Sequence, residues 1–149
     1  MAYATRDDLY LAYDGGSGEL ARLSDGVAGS TENLARINQA LDFATERMNE
    51  ELSKYYDMPI AACGVGIYPI ALVAICCALA RYELYDDTVP DNKVVRDYDS
   101  AIKRLKAYGD GSLHLFCPSG AKLNKKSGTM FVAAVEIRPA YTPNKDYCL

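Results

Sequence analysis

The 149-residue chain has a mass of 16.3 kDa, with 50% of its residues apolar and 24% charged. This length and composition are typical of one compact globular domain, and they exclude a disordered or fibrous chain. Sixteen basic residues against 20 acidic ones give a net charge of −4, which excludes a generally basic nucleic-acid-binding surface.

The first part of the chain predicts three helices. Thr5 followed by Asp8 resembles a capping box and predicts a short helix through Tyr13, which the glycine-rich residues 14–18 end. A second short helix is expected over residues 19–23. Ser30 or Thr31 then caps a helix of roughly 24 residues, about 36 Å long. Its apolar positions recur at helical spacing, at Leu34, Ile37, Leu41, Ala44, Met48, Leu52 and Tyr55.

Two further helices complete the predicted bundle. Residues 69–85 are apolar on every side as far as Arg81, which predicts a central, buried helix that starts with Pro69 in its first turn. The last helix is expected over residues 91–108, with its inward face formed by Val94, Val95, Tyr98, Ile102 and Leu105.

An uncharged stretch over residues 58–80 is nominally long enough to cross a bilayer. Its prolines and glycines interrupt any helix before residue 69. The remaining apolar helix covers only about 18 Å, against a hydrocarbon core of roughly 30 Å. We therefore interpret it as a core helix rather than a membrane span.

Beyond Gly109 the pattern changes from helical to strand-like. Residues 113–116 and 130–137 are short apolar runs typical of strands, and residues 118–128 between them form a basic loop. A strand-forming arm of this kind needs an edge to pair with, on another subunit or on a partner.

We predict a mainly α fold, in which a compact bundle of about four to five helices carries an extended, strand-forming C-terminal arm. Residues 1–108 form the helical domain and hold 11 basic against 17 acidic residues. Residues 109–149 form the arm and hold 5 basic against 3 acidic residues. The arm belongs to the same domain unit, and we expect neighbouring subunits or another partner to order it.

Five cysteines, an odd number without framework spacing, favour a reducing compartment over a disulfide scaffold. The single histidine, His114, would need Cys117 or Cys63 beside it to form a nucleophilic pair, and further cysteines to form a zinc site. An ordinary strand histidine is the favoured interpretation, with Cys76 and Cys77 as small core residues. We predict no catalytic residue, no metal ligand and no cofactor.

Two other features remain open between a structural and a functional interpretation. Asp86 and Asp87 lie at a predicted helix end, where negative charge opposes the helix dipole. They form either a solvated turn or a pair with an arginine of the same or a neighbouring chain. The twelve tyrosines, in a chain without tryptophan, suit either the boundary of the core or a subunit interface.

The segment Ala80-Arg81-Tyr82-Glu83-Leu84-Tyr85-Asp86-Asp87 resembles the central signature of the Mu-like tailed-bacteriophage head–tail connector family, also described as head completion or adaptor proteins. Further segments resemble that family in the same order, at residues 3–9, 54–60, 96–105 and 135–142. The resemblance covers nearly the whole chain. The cysteine-rich residues 63–77 and the lysine-containing loop 122–126 depart from the family's pattern.

The resemblance implies a structural protein of the virion neck, present in the host cytoplasm during assembly. It implies a homo-oligomeric ring, commonly of twelve copies, that binds beneath the portal protein and contacts a tail terminator, stopper or other neck protein. Genomic DNA passes through the lumen without sequence-specific binding, and neither catalysis nor a membrane is implied. An acidic body is consistent with such a channel, because phosphate-binding cations would retard the DNA.

We expect residues 130–149 to reach the portal or the adjacent subunit, with Arg138 and Tyr141 as anchors. The full set of predicted partner-binding residues is Phe131, Arg138, Tyr141, Thr142, Asp86 and Asp87. Two alternatives come from other classes: a small helical Cys/His-dependent enzyme or metal-binding protein, and a DNA-binding helical module. Metal content and cysteine labelling test the first, and salt-sensitive retention on DNA tests the second.

Overall fold

A computed structural model of the protein describes residues 2–15, 18–25, 32–60, 62–85 and 92–126. In those ranges the chain forms five α-helices and no named strand. The helices are α1 (Arg6–Leu9), α2 (Glu19–Asp25), α3 (Leu34–Leu52), α4 (Ile70–Leu84) and α5 (Asn92–Gly109), and a π-helical segment (Tyr10–Asp14) continues α1. The predicted mainly α fold is confirmed. Residues 127–149, which hold most of the predicted arm, lie outside the described residues.

The N-terminal segment is organised by two side-chain caps. The predicted capping box is present, since the Thr5 N–H donates to Asp8 Oδ2 at 2.8 Å and the Asp8 N–H donates to Thr5 Oγ1 at 3.2 Å. The buried Asp14 then accepts hydrogen bonds from the Gly18 and Leu20 N–H groups, at 2.7 and 2.8 Å. Asp14 therefore joins the end of the π-helical segment to the start of α2.

Helix α3 buries one face and is shorter than the sequence predicts. Its N-cap is Asn33, which accepts the Arg36 N–H at 3.2 Å, so the helix has 19 residues and the prediction of Ser30 or Thr31 as the cap is wrong. Leu34 is 56% exposed, because it lies in the first turn, beyond the buried stripe. The rest of the predicted stripe within the helix is confirmed as buried, at Ile37, Leu41, Ala44, Met48 and Leu52.

Helix α4 is the central element, as its uniformly apolar sequence predicts. It packs against α3 on one side and α5 on the other, and Pro69 is its N-cap. The rings of Tyr82 on α4 and Tyr98 on α5 stack with their centroids 4.1 Å apart. Its buried side chains include Leu72, Ile75, Cys76, Cys77, Leu79 and Leu84.

No helix among the described residues is long and apolar enough to cross a membrane.

Residues 110–126, the first part of the predicted arm, fold back onto the helices. The Leu115 N–H donates to the Tyr56 hydroxyl at 3.1 Å, and the Lys126 N–H donates to the Tyr55 carbonyl at 2.7 Å. The predicted strand over residues 113–116 is reduced to a single antiparallel bridge between Phe116 and Lys122. Turns at residues 110–111 and 118–119 leave too few residues between them for a continuous ladder, and the segment is instead a short hairpin.

Gly109, the last residue of α5, lies against the end of α3, and this close approach generates a prediction. A Cβ at Gly109 would lie 2.5 Å from the backbone carbonyl oxygen of Glu51. Glycine to alanine in a helix ordinarily stabilises by about 1 kcal/mol. Here we expect Gly109→Ala to lower the free energy of unfolding by about 1–3 kcal/mol, because backbone must move to make room.

Urea denaturation measures this difference. Gly64→Ala is the matched control, because its Cβ would meet only the flexible end of the Ile67 side chain, at 3.4 Å. A Gly109→Ala protein at least as stable as the parent would contradict the predicted close packing of α5 on α3.

Candidate functional site

The six residues predicted to bind partners all lie outside the described residues: Asp86, Asp87, Phe131, Arg138, Tyr141 and Thr142. Their roles stay predictions. The described part of the chain instead offers a buried ionic network, a pair of buried thiols and an exposed apolar end of the bundle.

The ionic network is centred on Arg81 of α4, which is only 9% exposed. Its Nη2 lies 2.7 Å from Glu19 Oε1 of α2, and its Nε donates to the same oxygen at 2.8 Å. The Tyr85 hydroxyl also donates to Glu19 Oε1, at 3.1 Å. The guanidinium lies 4.5 Å from the centre of the Tyr13 ring, and Nη1 is 3.7 Å from Asp97 Oδ2 of α5. One side chain therefore connects the π-helical segment, α2 and α5 to α4.

The Arg81 network includes two residues, Arg81 and Tyr85, of the segment that carries the family resemblance. Burial, reinforced by the Glu19 carboxylate, raises the pKa of the Tyr85 phenol, so it remains a neutral hydrogen-bond donor. Arg81 and Tyr85 both point at Glu19 rather than at solvent. In the signature, these two residues therefore position helices of the same chain.

The positions of the cysteines and of His114 differ from those that a Cys/His-dependent enzyme or a metal site requires. Cys63 and Cys117 form a disulfide, with their Cα atoms 5.5 Å apart, which the expectation of a reducing compartment does not anticipate. A disulfide-bonded sulfur is not a thiolate nucleophile or ligand. The His114 ring lies against the Tyr55 ring, with centroids 6.1 Å apart. Among the described residues, no group of three or more histidine, cysteine or acidic side chains could hold a metal ion.

The other two described cysteines, Cys76 and Cys77, are free and buried in α4, as predicted for small core residues. Burial raises the pKa of the Cys77 thiol to about 12, and it also raises the pKa of Cys76. Because the thiolate is the reactive form, neither group is primed for nucleophilic chemistry.

The Cys63–Cys117 disulfide joins two tight turns at the end of the bundle where α4 begins. In the first turn the Cys63 N–H donates to the Ile67 carbonyl at 2.7 Å, and in the second the Cys117 N–H donates to the Ala121 carbonyl at 2.8 Å. We call residues 63–67 and 113–123 together the stapled end. Its exposed apolar side chains are Val65, at 104% of the reference exposure, Ile67 at 51%, Leu113 at 44% and Phe116 at 53%.

The sequence interpretation missed this exposed end for identifiable reasons. Val65 and Ile67 belong to the uncharged stretch whose prolines and glycines predict only that no helix continues through it. Gly64 and Gly66, on either side of Val65, also carry a further signal, because glycines at this spacing favour a tight turn at the surface. A cysteine pairing over 54 residues cannot be obtained from spacing alone.

A comparison with known protein families identifies the family of this chain. The bacteriophage Mu Gp36 family matches residues 3–134 of the chain. This chain belongs to the bacteriophage Mu Gp36 family. The match spans the Arg81 network and the stapled end, so both features lie within the Gp36-family region. A comparison with curated proteins found no match. The coarser part of the resemblance, a Mu-like phage protein, is thereby confirmed.

The Arg81 network predicts the stability of two variants. Arg81→Met removes the guanidinium and leaves the Glu19 carboxylate, whose side chain is 13% exposed, without its ion pair. We expect unfolding to become easier by about 3–5 kcal/mol, the usual consequence of breaking a buried pair from one side. Tyr85→Phe removes one hydrogen bond and should cost about 1 kcal/mol.

Urea denaturation of the double variant Arg81→Met/Glu19→Gln provides the control, since removal of both charges should restore part of the loss. Equal stabilities for Arg81→Met and Tyr85→Phe would show that the ion pair contributes nothing beyond a single hydrogen bond.

The buried thiols predict a labelling pattern. At neutral pH, iodoacetamide should leave Cys76 and Cys77 unmodified in the folded protein, because both are buried and Cys77 has a pKa of about 12. Both should react in urea. Mass spectrometry of tryptic peptides measures the modification site by site, and rapid labelling of either residue in the native protein would contradict their place in the core.

Proposed function

We propose that this Gp36-family chain is a head–tail connector of the virion neck. Copies of the chain form a ring, with twelve as the expected number, that binds under the portal protein and extends the DNA channel. The opposite face of the ring receives a tail terminator, stopper or other neck protein. In this proposal the protein has no catalytic activity, and its role is to bind other copies of itself, the portal protein and the next neck protein.

The observation that carries the proposal is the stapled end. Large exposed apolar patches mark interaction sites in soluble proteins, and the disulfide places the apolar side chains of the two turns at the same end of the bundle. Val65 lies within the first turn, Ile67 and Phe116 lie at the bases of the two turns, and all three are more than half exposed, on a chain whose family is that of a phage protein. A surface of this type favours an assembly protein over an enzyme.

The charge distribution supports the same proposal. Residues 1–108 hold six more acidic than basic residues, so a ring built from these helices repels rather than retains the phosphate backbone. The C-terminal residues have the opposite balance. We propose that Phe131, Arg138, Tyr141 and Thr142 contact the portal or the adjacent subunit, and that Asp86 and Asp87 pair with an arginine across a subunit boundary.

The decisive experiment mixes the purified protein with the portal ring of its own phage and measures the mass of the complex. Native mass spectrometry should show a discrete gain of many copies, matched to the symmetry of the portal. A folded protein that adds no mass to the portal at micromolar concentration would overturn the connector proposal.

The same assay tests the C-terminal contact. Deletion of residues 130–149 should abolish the gain in mass while circular dichroism shows unchanged helicity, because the described helices all precede residue 130. Arg138→Ala/Tyr141→Ala should weaken attachment strongly, since arginine and tyrosine are frequent anchors of interfaces. Lys103→Ala/Lys106→Ala, on the exposed face of α5, is the matched control and should bind normally. Full attachment by the deletion variant would place the contact elsewhere.

A further inference from the structure

The hairpin of the stapled end presents an aromatic ring beside a cation. Phe116 and Lys122 are opposite residues of an antiparallel bridge, so their side chains lie on the same face of the hairpin. Leu115, the neighbour of Phe116, is buried, which directs Phe116 outward. Lys122 and Lys125 are exposed and make no ion pair within the described ranges.

A cleft beside α3 has the complementary character. It encloses about 520 Å³ and is floored by Tyr3, Ile60 and Tyr68, with Asp42 and Glu46 at its rim. The two carboxylates lie one helical turn apart on α3, are both exposed, and have no ion-pair partner in the part of the chain that the structure describes. We call this surface the α3 cleft.

The floor of the α3 cleft is fixed before any ligand arrives. The rings of Tyr3 and Tyr68 meet edge to face, with centroids 5.1 Å apart. The Tyr3 hydroxyl donates to Asn49 Oδ1 at 2.5 Å, and the Tyr3 N–H donates to Thr45 Oγ1 at 3.2 Å. A preformed aromatic floor loses little conformational entropy when an apolar ring packs on it.

We propose that the hairpin of one copy of this chain docks in the α3 cleft of a second copy. Phe116 packs on the tyrosine floor, and Lys122 and Lys125 meet the carboxylates of Asp42 and Glu46. This contact rests on the proposed function, because it supplies the subunit interface that a ring of copies requires.

Charge complementarity within the chain itself is the argument for a second copy as the occupant. The hairpin brings two unpaired cations, and the cleft brings two unpaired carboxylates one helical turn apart on α3. Isolated exposed charges contribute little, but complementary charges fix the register and orientation of a contact whose affinity comes from the apolar centre. When each copy offers its hairpin to one neighbour and its cleft to the other, the contact is heterologous and passes from copy to copy, as the proposed ring requires.

Charge exchange tests the proposed pairing. Lys122→Glu/Lys125→Glu and Asp42→Lys/Glu46→Lys should each weaken self-association by at least about tenfold, measured by sedimentation velocity over a concentration series. An equimolar mixture of the two variants should associate again, because the acidic hairpin of one variant meets the basic cleft of the other. Lys103→Glu/Lys106→Glu makes the same charge change on the exposed face of α5 and should associate like the parent.

Carbodiimide cross-linking identifies the contact directly, since it joins an amine to a carboxylate only when the two touch. In a mixture of ¹⁵N-labelled and unlabelled protein, both free and bound to the portal ring, we expect mixed-isotope cross-links from Lys122 or Lys125 to Asp42 or Glu46. Their absence from both samples overturns the proposal, as does a mixture of the two variants that associates no better than either alone. A gain in portal mass in that case would leave the connector function standing and remove only this contact.

Discussion

The buried Arg81 constrains how the helices of the bundle pack together. Helices α1 and α2 have 4 and 7 residues, too few to be stable alone in water, where roughly 12–15 are needed. They therefore depend on packing against the rest of the chain: α1 packs on α4 and α3, and α2 packs on α3 and the π-helical segment. The most demanding contact is the ion pair between Glu19 of α2 and Arg81 of α4. A guanidinium buried without partners would be strongly unfavourable, so Glu19 and Tyr13 must lie beside it. This requirement selects one placement of the N-terminal segment over other apolar packings of similar contact area.

The position of this network leaves the other end of the bundle available for binding. Arg81 lies eleven residues beyond the start of α4, about 16 Å along the helix axis. Around that start, the chain is held by a disulfide and backbone hydrogen bonds rather than by burial of Val65 and Phe116. A rigid surface that keeps its apolar side chains exposed loses less entropy on binding than a flexible loop does. The Arg81 network and the stapled end therefore lie at opposite ends of one central helix.

The sequence predicts the helices well because periodicity is a local property. The buried stripe of α3 and the uniformly apolar α4 follow from spacing alone, whereas the start of α3 depends on a single cap at Asn33. The surfaces could not be predicted in this way. Cys63 and Cys117 meet across 54 residues, and Tyr3 and Tyr68 come from opposite sides of the α3 sequence. Their proximity is a consequence of helix packing, which no spacing rule encodes.

The net charge of the molecule likewise does not describe the charge of its individual surfaces. A net charge of −4 describes neither surface, because the hairpin is locally basic and the rim of the α3 cleft is locally acidic. Screening confines each of these charges to about 10 Å at moderate ionic strength. In the proposed ring, charges that pair at a contact between copies therefore have little effect on acidic side chains elsewhere on the chain. The proposed lysine contacts would then set the register of neighbouring copies without changing the acidic balance of the rest of the surface.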